Sequence, residues 1–225
     1  MLLAVTGMQR EARLLRGRCE VIVAGSDTST LAAKIEAAID RDARAILSFG
    51  ICGALAPELA VGSVVVGTEV VAGAERWRAD ETWSNALTTA CGAASGMVAG
   101  SDFVLLTQDS KAALHEQAGA IAADMESHIV ARVASERGLP FAVLRSVSDD
   151  AQHALPPAAA FGLNKEGRVD YSAVMLSLLD EPSQFGALIR TARDTNTAIK
   201  ALRRCLERLP AGLGCPIPSV SPALS

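Results

Sequence analysis

Aromatic side chains are scarce in this sequence: only 4% of its 225 residues are Phe, Trp or Tyr, although half of all residues are hydrophobic. The core must therefore be built mainly from Ala, Val, Leu and Ile. This length and hydrophobic content favour one domain with a sizeable core, which we place at residues 1–209. Residues 210–225 contain four prolines and little charge, which predicts a loose C-terminal tail.

Long apolar runs and an excess of positive charge are also missing. No segment approaches the roughly 20 apolar residues that a spanning helix needs. Charged residues follow Leu2–Val5 at once, so no secretory signal is visible. The net charge of −4 and the pI near 5.4 argue against non-specific binding to nucleic acid. The sequence therefore predicts a cytoplasmic protein without a nucleic-acid partner.

The five cysteines are scattered, and none belongs to a CxxC pair or has a histidine at zinc-ligand spacing. Cys19 and Cys52 stand in apolar, strand-like surroundings, where a cysteine more often fills a core than binds a ligand. We therefore expect no metal site and a reducing compartment. The sequence also lacks GxGxxG, GxxxxGK[ST], GxSxG and HExxH, which makes a dinucleotide-dependent oxidoreductase a weak interpretation.

Short apolar runs alternate with helical patterns along most of the chain. Strands are predicted at residues 2–6, 20–24, 45–49, 63–71, 97–101 and 141–147. Helices are predicted at residues 8–16, 28–40, 80–91, 109–117, 125–137, 170–179 and 185–206. This alternation predicts an α/β fold, a three-layer α/β/α sandwich with a central mixed sheet. Residues 151–168 are rich in Ala, Pro and Gly and are predicted to form a long loop.

Three acids follow predicted strands or begin helices, at Glu11, Glu126 and Asp149. In open α/β sheets, ligands bind outside the carboxyl ends of the strands. Each acid also has an ordinary structural interpretation, as a helix cap, a solvated turn or a partner of a helix dipole. A buried carboxyl group at the mouth of a sheet can, however, act as an acid. Three such acids could converge on one ligand.

Five short blocks occur in an informative order, although no single block is specific. They are GMQREARLL at 7–15, SFGICGAL at 48–55 with VGSVVV at 61–66, GSDF at 100–103, DME at 124–126 and RSVSD at 145–149. In this order they resemble the methylthioadenosine/S-adenosylhomocysteine nucleosidases of the nucleoside phosphorylase family. The resemblance implies an enzyme that cleaves the bond between ribose and a purine base, binds a small purine nucleoside, needs no cofactor and forms homodimers or larger homo-oligomers.

Later parts of the chain are most similar to the hopanoid-associated phosphorylase-like members of this family, at residues 161–163, 167–170 and 188–195. Those members are taken to remove adenine from adenosylhopane, a nucleoside whose 5′ carbon carries a polycyclic lipid. The resemblance therefore implies an adenine nucleoside with an apolar 5′ group. Futalosine hydrolases are the other subgroup that the sequence allows.

The resemblance also implies roles for the acids. Asp149, supported by Ser148, would donate a proton to N7 of the departing purine. Glu126 would accept the ribose hydroxyls and hold negative charge near the sugar, which becomes cation-like as the bond breaks. Glu11 would act as a general base toward the attacking water.

Five further positions are implied as substrate contacts. Met125 would pack on the ribose, Phe103 would stack on the base, and the backbone of Val104 would read the edge of the base. Gly50 and Ile51, in the glycine-rich turn, would also contact the substrate.

The choice between water and phosphate depends on three positions. Phosphorylases of the family bind phosphate through arginines and a hydroxyl residue where this sequence has Glu11, Ser48 and Ile51. Because phosphate needs donors and positive charge, we predict hydrolysis. Arg10 keeps phosphorolysis, with phosphate as co-substrate, as the alternative. Ile51 also departs from the hydrolases, which have a small hydroxyl residue there, so a catalytically silent nucleoside-binding protein is the alternative of another class.

The predicted helix at 185–206 has apolar residues at helical spacing, and six basic residues lie between 190 and 208. The ordinary interpretation is a terminal helix that packs on the sheet and exposes its arginines. The alternative is that this helix and the loop at 151–168, with Leu155 and Phe161, form a channel for the 5′ group. Such a channel could face a membrane surface and give weak peripheral contact.

Overall fold

The computed structural model describes residues 1–159 and 163–216. Its strands are β1 (Leu2–Thr6), β2 (Glu20–Val23), β3 (Ala45–Ala54), β4 (Val64–Ala72), β5 (Glu75–Arg78), β6 (Ala94–Gly100), β7 (Ala122–Asp124) and β8 (Phe141–Asp149). Its helices are α1 (Gln9–Leu14), α2 (Leu31–Arg41), α3 (Glu81–Cys91), α4 (Gln108–Ala118), α5 (Ser127–Glu136), α6 (Tyr171–Asp180) and α7 (Phe185–Arg208). Short 3-10 turns lie at Thr28–Thr30, Pro157–Ala159 and Pro182–Gln184.

The strands form one mixed sheet, as predicted. β1 pairs in parallel with β2 and β3, and β3 pairs in parallel with β8. β4 pairs antiparallel with β8 and β5 and parallel with β6. Because β7 joins the end of β3 to β6, the strands β3, β8, β4, β6 and β7 close into a ring. The alternating sequence pattern does not predict this closure.

The central strands are buried on both faces, which explains why their sequences are continuous apolar runs. Leu3 and Val5 of β1 pack in a core with α2 and α5. Ala4, between them, packs in a second core with α3 and α7. Successive side chains of a strand point to opposite faces, and β3 and β8 divide their side chains between the two cores in the same way. Helices therefore cover both faces of the sheet, and the predicted fold class is confirmed.

The predicted elements are present, with shifted ends. The largest shift is in β3, which continues to Ala54, so the glycine-rich segment at 50–53 belongs to the strand rather than to a turn after it. β5 and β7 were missed. β5 has the polar sequence ERWR and β7 is only three residues long, so neither shows an apolar run of strand length. β5 is defined by antiparallel pairing with its neighbour β4, and β7 by pairing with the more distant β6 and β3.

Cys91 of α3 and Cys205 of α7 form a disulfide, with their Cα atoms 5.0 Å apart. The expectation of a reducing compartment did not include such a bond. The two cysteines are 114 positions apart in the sequence, and no sequence signal indicated their pairing. Cys52 is buried in the core beside α2 and α5, as predicted. Cys19 is half-buried at the edge of the other core.

The segment after α7 makes a tertiary contact at Leu213, and the loose tail at 210–225 stays a prediction. The Leu213 side chain is fully buried, and the Leu213 carbonyl accepts a 2.8 Å hydrogen bond from Trp83 Nε1. The rest of the predicted tail, 217–225, lies outside the described residues. Within the described residues, no helix has both the length and the apolar character needed to cross a membrane.

Candidate active site

A cavity of about 420 Å³ opens where β1, β3, β6, β7 and β8 reach their carboxyl ends. Acidic and hydroxyl side chains form one part of its wall, contributed by Glu11, Asp124, Glu126, Ser148 and Asp149. Apolar side chains form another part, contributed by Leu105, Leu155, Leu163, Val169, Val174 and Leu188. The three acids that the sequence singled out therefore meet at one cavity.

Asp149 is the last residue of β8, and both oxygens of its carboxylate accept hydrogen bonds. Ser148 Oγ lies 2.9 Å from Oδ1 and 3.2 Å from the Cys52 carbonyl oxygen, and the catalytic support of Asp149 by Ser148 stays a prediction. Lys111 Nζ donates to Oδ2 at 2.7 Å. The Lys111 side chain is only 1% exposed, and that of Asp149 is 13% exposed. The contact is therefore a shielded ion pair and not a surface one.

Lys111 was missed by the sequence analysis. It lies on α4 and shares the inward side of that helix with Leu114 and Ala118, which pack on a small apolar core. The inward positions i, i+3 and i+7 of such a helix normally carry apolar residues. A lysine at the first of these positions could therefore have been recognised from the sequence as a candidate functional residue. Lys111 Nζ also donates to the carbonyl oxygens of Asp150 and His153, at 2.7 and 3.1 Å.

Glu11 occupies the third position of α1, where its carboxylate satisfies the helix terminus. Its Oε2 accepts from the Met8 backbone N–H at 2.7 Å. Its Oε1 accepts from the Ile51 N–H of β3 at 2.8 Å. Glu11 is 1% exposed, and this burial raises the pKa of its carboxyl group, although Arg145 and the N–H of Ile51 oppose the rise. A carboxylate with a raised pKa is a suitable proton acceptor at neutral pH.

Arg145 of β8 is the cation of the acidic wall, a role that the sequence analysis did not assign. Its Nε lies 2.9 Å from Asp124 Oδ2, and its NH2 nitrogen lies 3.3 Å from Glu126 Oε2. The NH2 group also donates to Ser48 Oγ at 2.6 Å. Ser48, considered above for phosphate binding, is therefore fully buried and bound to Arg145.

Burial raises the pKa of Glu126 to about 8. Arg145 opposes this rise, whereas the charges of Asp124 and Glu11 add to it. Asp124 also fixes the position of Glu126, since its Oδ1 accepts the Glu126 and Ser127 N–H groups at 2.9 and 2.7 Å. One guanidinium thus faces three carboxyl groups, and two of these, Glu11 and Glu126, have raised pKa values.

Three glycines make room for the three acids. A Cβ atom on Gly50 would lie 2.6 Å from Glu11 Oε1 and 2.7 Å from Arg145 NH1. A Cβ on Gly53 would lie 2.9 Å from Asp149 Oδ2, and one on Gly7 would lie 2.7 Å from Glu126 Oε1. Gly50 was predicted to contact the substrate, but it does not line the cavity. Its role is to let Glu11 and Arg145 approach β3.

The other predicted substrate contacts line the cavity. They are Phe103, Val104, Met125 and Ile51. Phe103 is 78% exposed, so its ring is accessible for stacking. Its loop is held by Ser101, whose Oγ donates to the Phe103 carbonyl at 2.7 Å. Phe161, predicted to line the same region, lies outside the described residues.

Arg10 and Lys111 are the cationic side chains among the described residues that line the cavity. The Arg10 side chain is exposed and donates to Asn196 Oδ1 of α7 at 2.5 Å. The Lys111 amine donates a hydrogen bond to Asp149. Within the part of the chain that the structure describes, no group of three or more His, Cys, Asp or Glu side chains could hold a metal ion.

Comparison with protein-family models decides the family. Residues 11–178, about three quarters of the chain, match the model of the phosphorylase superfamily. The chain belongs to the phosphorylase superfamily. The predicted family is thereby confirmed, as is the prediction of an enzyme of this class. None of the curated proteins matches the sequence.

Several solved structures share the fold at low sequence identity. A Helicobacter pylori methylthioadenosine nucleosidase mutant with 5′-methylthioadenosine in its active site has a TM-score of 0.63 and 18% identity, over 92% of this chain and 98% of that one. An S-adenosylhomocysteine nucleosidase from Streptococcus pyogenes has a TM-score of 0.65 and 19% identity, over 93% and 97%. The futalosine hydrolase of Helicobacter pylori gives 0.62 and 18%, over 92% and 97%. These likenesses concern the fold.

Proposed function

We propose that the protein hydrolyses the N-ribosyl bond of an adenine nucleoside whose 5′ substituent is apolar, such as adenosylhopane. One observation carries the proposal: a single cavity is lined by a carboxyl group paired with a cation, Asp149, by two buried acids with raised pKa values, Glu11 and Glu126, and by an extensive apolar wall. Asp149, Glu11 and Glu126 can provide the acid, base and negative charge that cleavage of the N-ribosyl bond requires. The apolar wall can bind the 5′ group.

Cleavage of an N-ribosyl bond moves the bonding electron pair to the purine and leaves positive charge on the sugar. Asp149 donates a proton to N7, so the base leaves as a neutral purine. Glu126 binds the ribose hydroxyls and stabilises the cationic sugar electrostatically. Since Glu126 has its pKa raised to about 8, the approach of a cationic sugar favours its ionised form, which strengthens the interaction as the bond breaks.

Water is the better nucleophile for this site. Glu11 presents a carboxylate where a phosphate group would have to lie, and it already accepts the Ile51 N–H that could otherwise bind phosphate. Arg145, the cation of the acidic wall, is already bound to Asp124 and Glu126, so it is not available to hold an anion. Glu11 takes a proton from the water as its oxygen bonds to C1′ of the sugar.

The apolar wall supports the choice of a 5′ group. Leu155, Leu163, Val174 and Leu188 line the cavity from the loop after β8 and from α6 and α7. Each buried CH₂ of a substituent in contact with such a wall would contribute about 0.8 kcal/mol to binding. A polar 5′ group would lose water there without gaining hydrogen-bond partners. Adenosylhopane is the proposed substrate because its lipid group is large and apolar.

A nucleoside panel tests the function. Adenosine, 5′-methylthioadenosine, futalosine and adenosylhopane are incubated with the protein, with and without phosphate, and released base and sugar are measured by mass spectrometry. We expect adenine release that does not depend on phosphate and is fastest for the apolar 5′ groups. Strict dependence on phosphate would indicate a phosphorylase that uses Arg10. Tight binding of every nucleoside without base release would indicate a silent binding protein.

Peripheral membrane contact also stays a proposal, together with a cytoplasmic location and assembly into homodimers or larger homo-oligomers. Large apolar side chains are exposed on α6 and at the start of α7, namely Met175, Leu176, Leu179, Phe185 and Ile189. Flotation with anionic liposomes at low and high salt tests this contact. Failure to float at low salt would contradict the membrane contact. Flotation that persists after the basic residues of α7 are neutralised would also contradict it, and α7 would then be only a helix packed on the sheet.

A further inference from the structure

Lys111 is a buried ammonium group whose hydrogen bonds are complete. An ammonium group has three protons to donate, and Lys111 Nζ has three acceptors: Asp149 Oδ2 at 2.7 Å, the Asp150 carbonyl at 2.7 Å and the His153 carbonyl at 3.1 Å. Two of these acceptors are fixed backbone atoms of the segment after β8. The amine is therefore held in one place, directed at the carboxyl group of Asp149.

The contacts of Asp149 raise a question about its proton. Oδ2 accepts a hydrogen bond from Lys111 Nζ at 2.7 Å. Oδ1 lies 2.9 Å from Ser148 Oγ, whose single proton is shared with the Cys52 carbonyl oxygen at 3.2 Å. Toward Lys111, Asp149 is therefore an acceptor. The proposed cleavage requires it to be a donor. The group that can supply the missing proton without rearrangement is the one already bonded to Oδ2.

We propose that Lys111 is a positioning residue for Asp149 that supplies the proton which Asp149 passes to the leaving base. This inference rests on the proposed function. As the C1′–N9 bond breaks, its electron pair stays with the purine, N7 takes a proton from Asp149, and Asp149 takes a proton from Lys111 Nζ. The amine of Lys111 regains a proton from solvent after the base departs. Water supplies the oxygen on C1′, and its proton goes to Glu11.

A purely structural role explains the position of Lys111 less well. The inward stripe of α4 continues with Leu114 and Ala118, so an apolar side chain at 111 would extend it without desolvating a charge. The two carbonyl oxygens that Lys111 binds belong to Asp150 and His153, whose side chains are joined to each other through His153 Nδ1 and Asp150 Oδ1 at 2.7 Å. That segment therefore has its own local support, whereas Lys111 is the cation that pairs with the carboxyl group of Asp149.

The test is a double-mutant cycle of Lys111→Met and Asp149→Asn, with the exposed Lys200→Met as matched control. Adenine release gives kcat and KM for each protein, and thermal unfolding shows whether each is folded. We expect Lys111→Met to lower kcat about a hundredfold, the size of an acid–base contribution, with a much smaller change in KM. In the Asp149→Asn background the same change should cost less than about threefold, because Lys111 acts through Asp149. Lys111→Arg keeps the positive charge but cannot give up a proton, so it should not recover the loss, and recovery by Lys111→Arg would contradict proton supply.

A second substrate separates proton supply from folding. 4-Nitrophenyl riboside has a leaving group that departs without protonation, so its cleavage by Lys111→Met should be nearly that of the wild type. Equal losses on both substrates, or equal losses in both backgrounds, would overturn the role of Lys111. If Lys111→Met does not fold, Lys111→Gln takes its place in the cycle. A wild-type protein that releases no adenine would refute the proposed function and this role with it, whereas an active wild type with an equally active Lys111→Met would refute this role alone.

Discussion

Two groups of charged residues at the cavity differ in their charge balance. The Lys111 pair, Lys111 with Asp149, matches one cation with one acid. The Arg145 cluster, Arg145 with Glu11, Asp124 and Glu126, matches one cation with three acids. A balanced pair can move a proton without leaving an uncompensated buried charge. An acidic excess is poorly tolerated until a cation arrives.

This difference corresponds to the two demands of the proposed reaction. The purine needs a proton as it leaves, and the sugar needs negative charge as it becomes cationic. The two groups form two half-sites on one sheet, and both use β8: Arg145 lies within the strand and Asp149 at its end. Changes to one group should leave the function of the other largely intact.

The largest expected effect is on the acid. Asp149→Asn should lower adenine release roughly a thousandfold, or about 4 kcal/mol of transition-state stabilisation, with the fold retained. The amide keeps the shape of the side chain but cannot relay a proton. Steady-state kinetics measure the loss, and Asp109→Asn, on the exposed first turn of α4, is the control. Near-normal turnover by Asp149→Asn would remove this residue from the mechanism.

The second effect is on stability. Arg145→Met should lower the free energy of unfolding by about 3–5 kcal/mol, because three buried acids lose their cation. Denaturant unfolding at neutral pH measures it, with Arg208→Met, at the exposed end of α7, as control. The loss should shrink at pH 5, because burial raises the pKa values of Glu11 and Glu126 and a lower pH favours their neutral forms. A loss that is the same at both pH values would mean that packing, not charge, explains the effect.

The third effect is the pH dependence of stability. Burial raises the pKa of Glu126 from 4.5 to about 8 and also raises that of Glu11. Between these values the folded state holds protons that the unfolded state has released, so stability should fall as pH rises from about 4.5 to 8. One such group contributes a slope of at most about 1.4 kcal/mol per pH unit.

Glu126→Gln tests the origin of this slope. The variant should flatten the decline of unfolding free energy between pH 5 and 8, whereas the exposed Glu207→Gln should not. Denaturant titrations at a series of pH values give the slopes. A decline that is as steep in Glu126→Gln as in the wild type would assign the protons to other groups.

The smallest effect is expected at Arg10. Its side chain is exposed and bound to Asn196, so Arg10→Ala should change adenine release by less than about threefold, in line with other exposed polar contacts. Arg13→Ala, on the same helix, is the control. A large loss restricted to reactions that contain phosphate would instead make Arg10 a phosphate ligand and reverse the choice of nucleophile.

The sequence predicts the main elements of the fold because its buried strands and amphipathic helices have clear patterns. It predicts the acids of the site because Glu11, Glu126 and Asp149 stand at strand ends or helix starts. It does not predict the pairing that brings β3, β4 and β8 together, nor the short strand β7, because these depend on contacts between distant segments. It also misses β5, whose polar sequence pairs with the neighbouring β4.

The same limit applies to the site. Arg145 and Lys111 are cations inside apolar patterns, and their partners are far away in the sequence: Lys111 and Asp149 are 38 residues apart. The disulfide between Cys91 and Cys205 is another long-range contact. Gly50 was predicted to contact the substrate because its glycine-rich motif can be seen in the sequence. Its close packing against Glu11 can be seen only in the structure.

Hydrolysis is the central claim, and oxygen labelling tests it most directly. The protein is incubated with 5′-methylthioadenosine or adenosylhopane in H₂¹⁸O with phosphate present, and the sugar product is analysed by mass spectrometry under conditions that limit exchange. The account predicts adenine together with a free sugar that carries one ¹⁸O at C1′. A sugar 1-phosphate without the label, or no adenine at all, would contradict it.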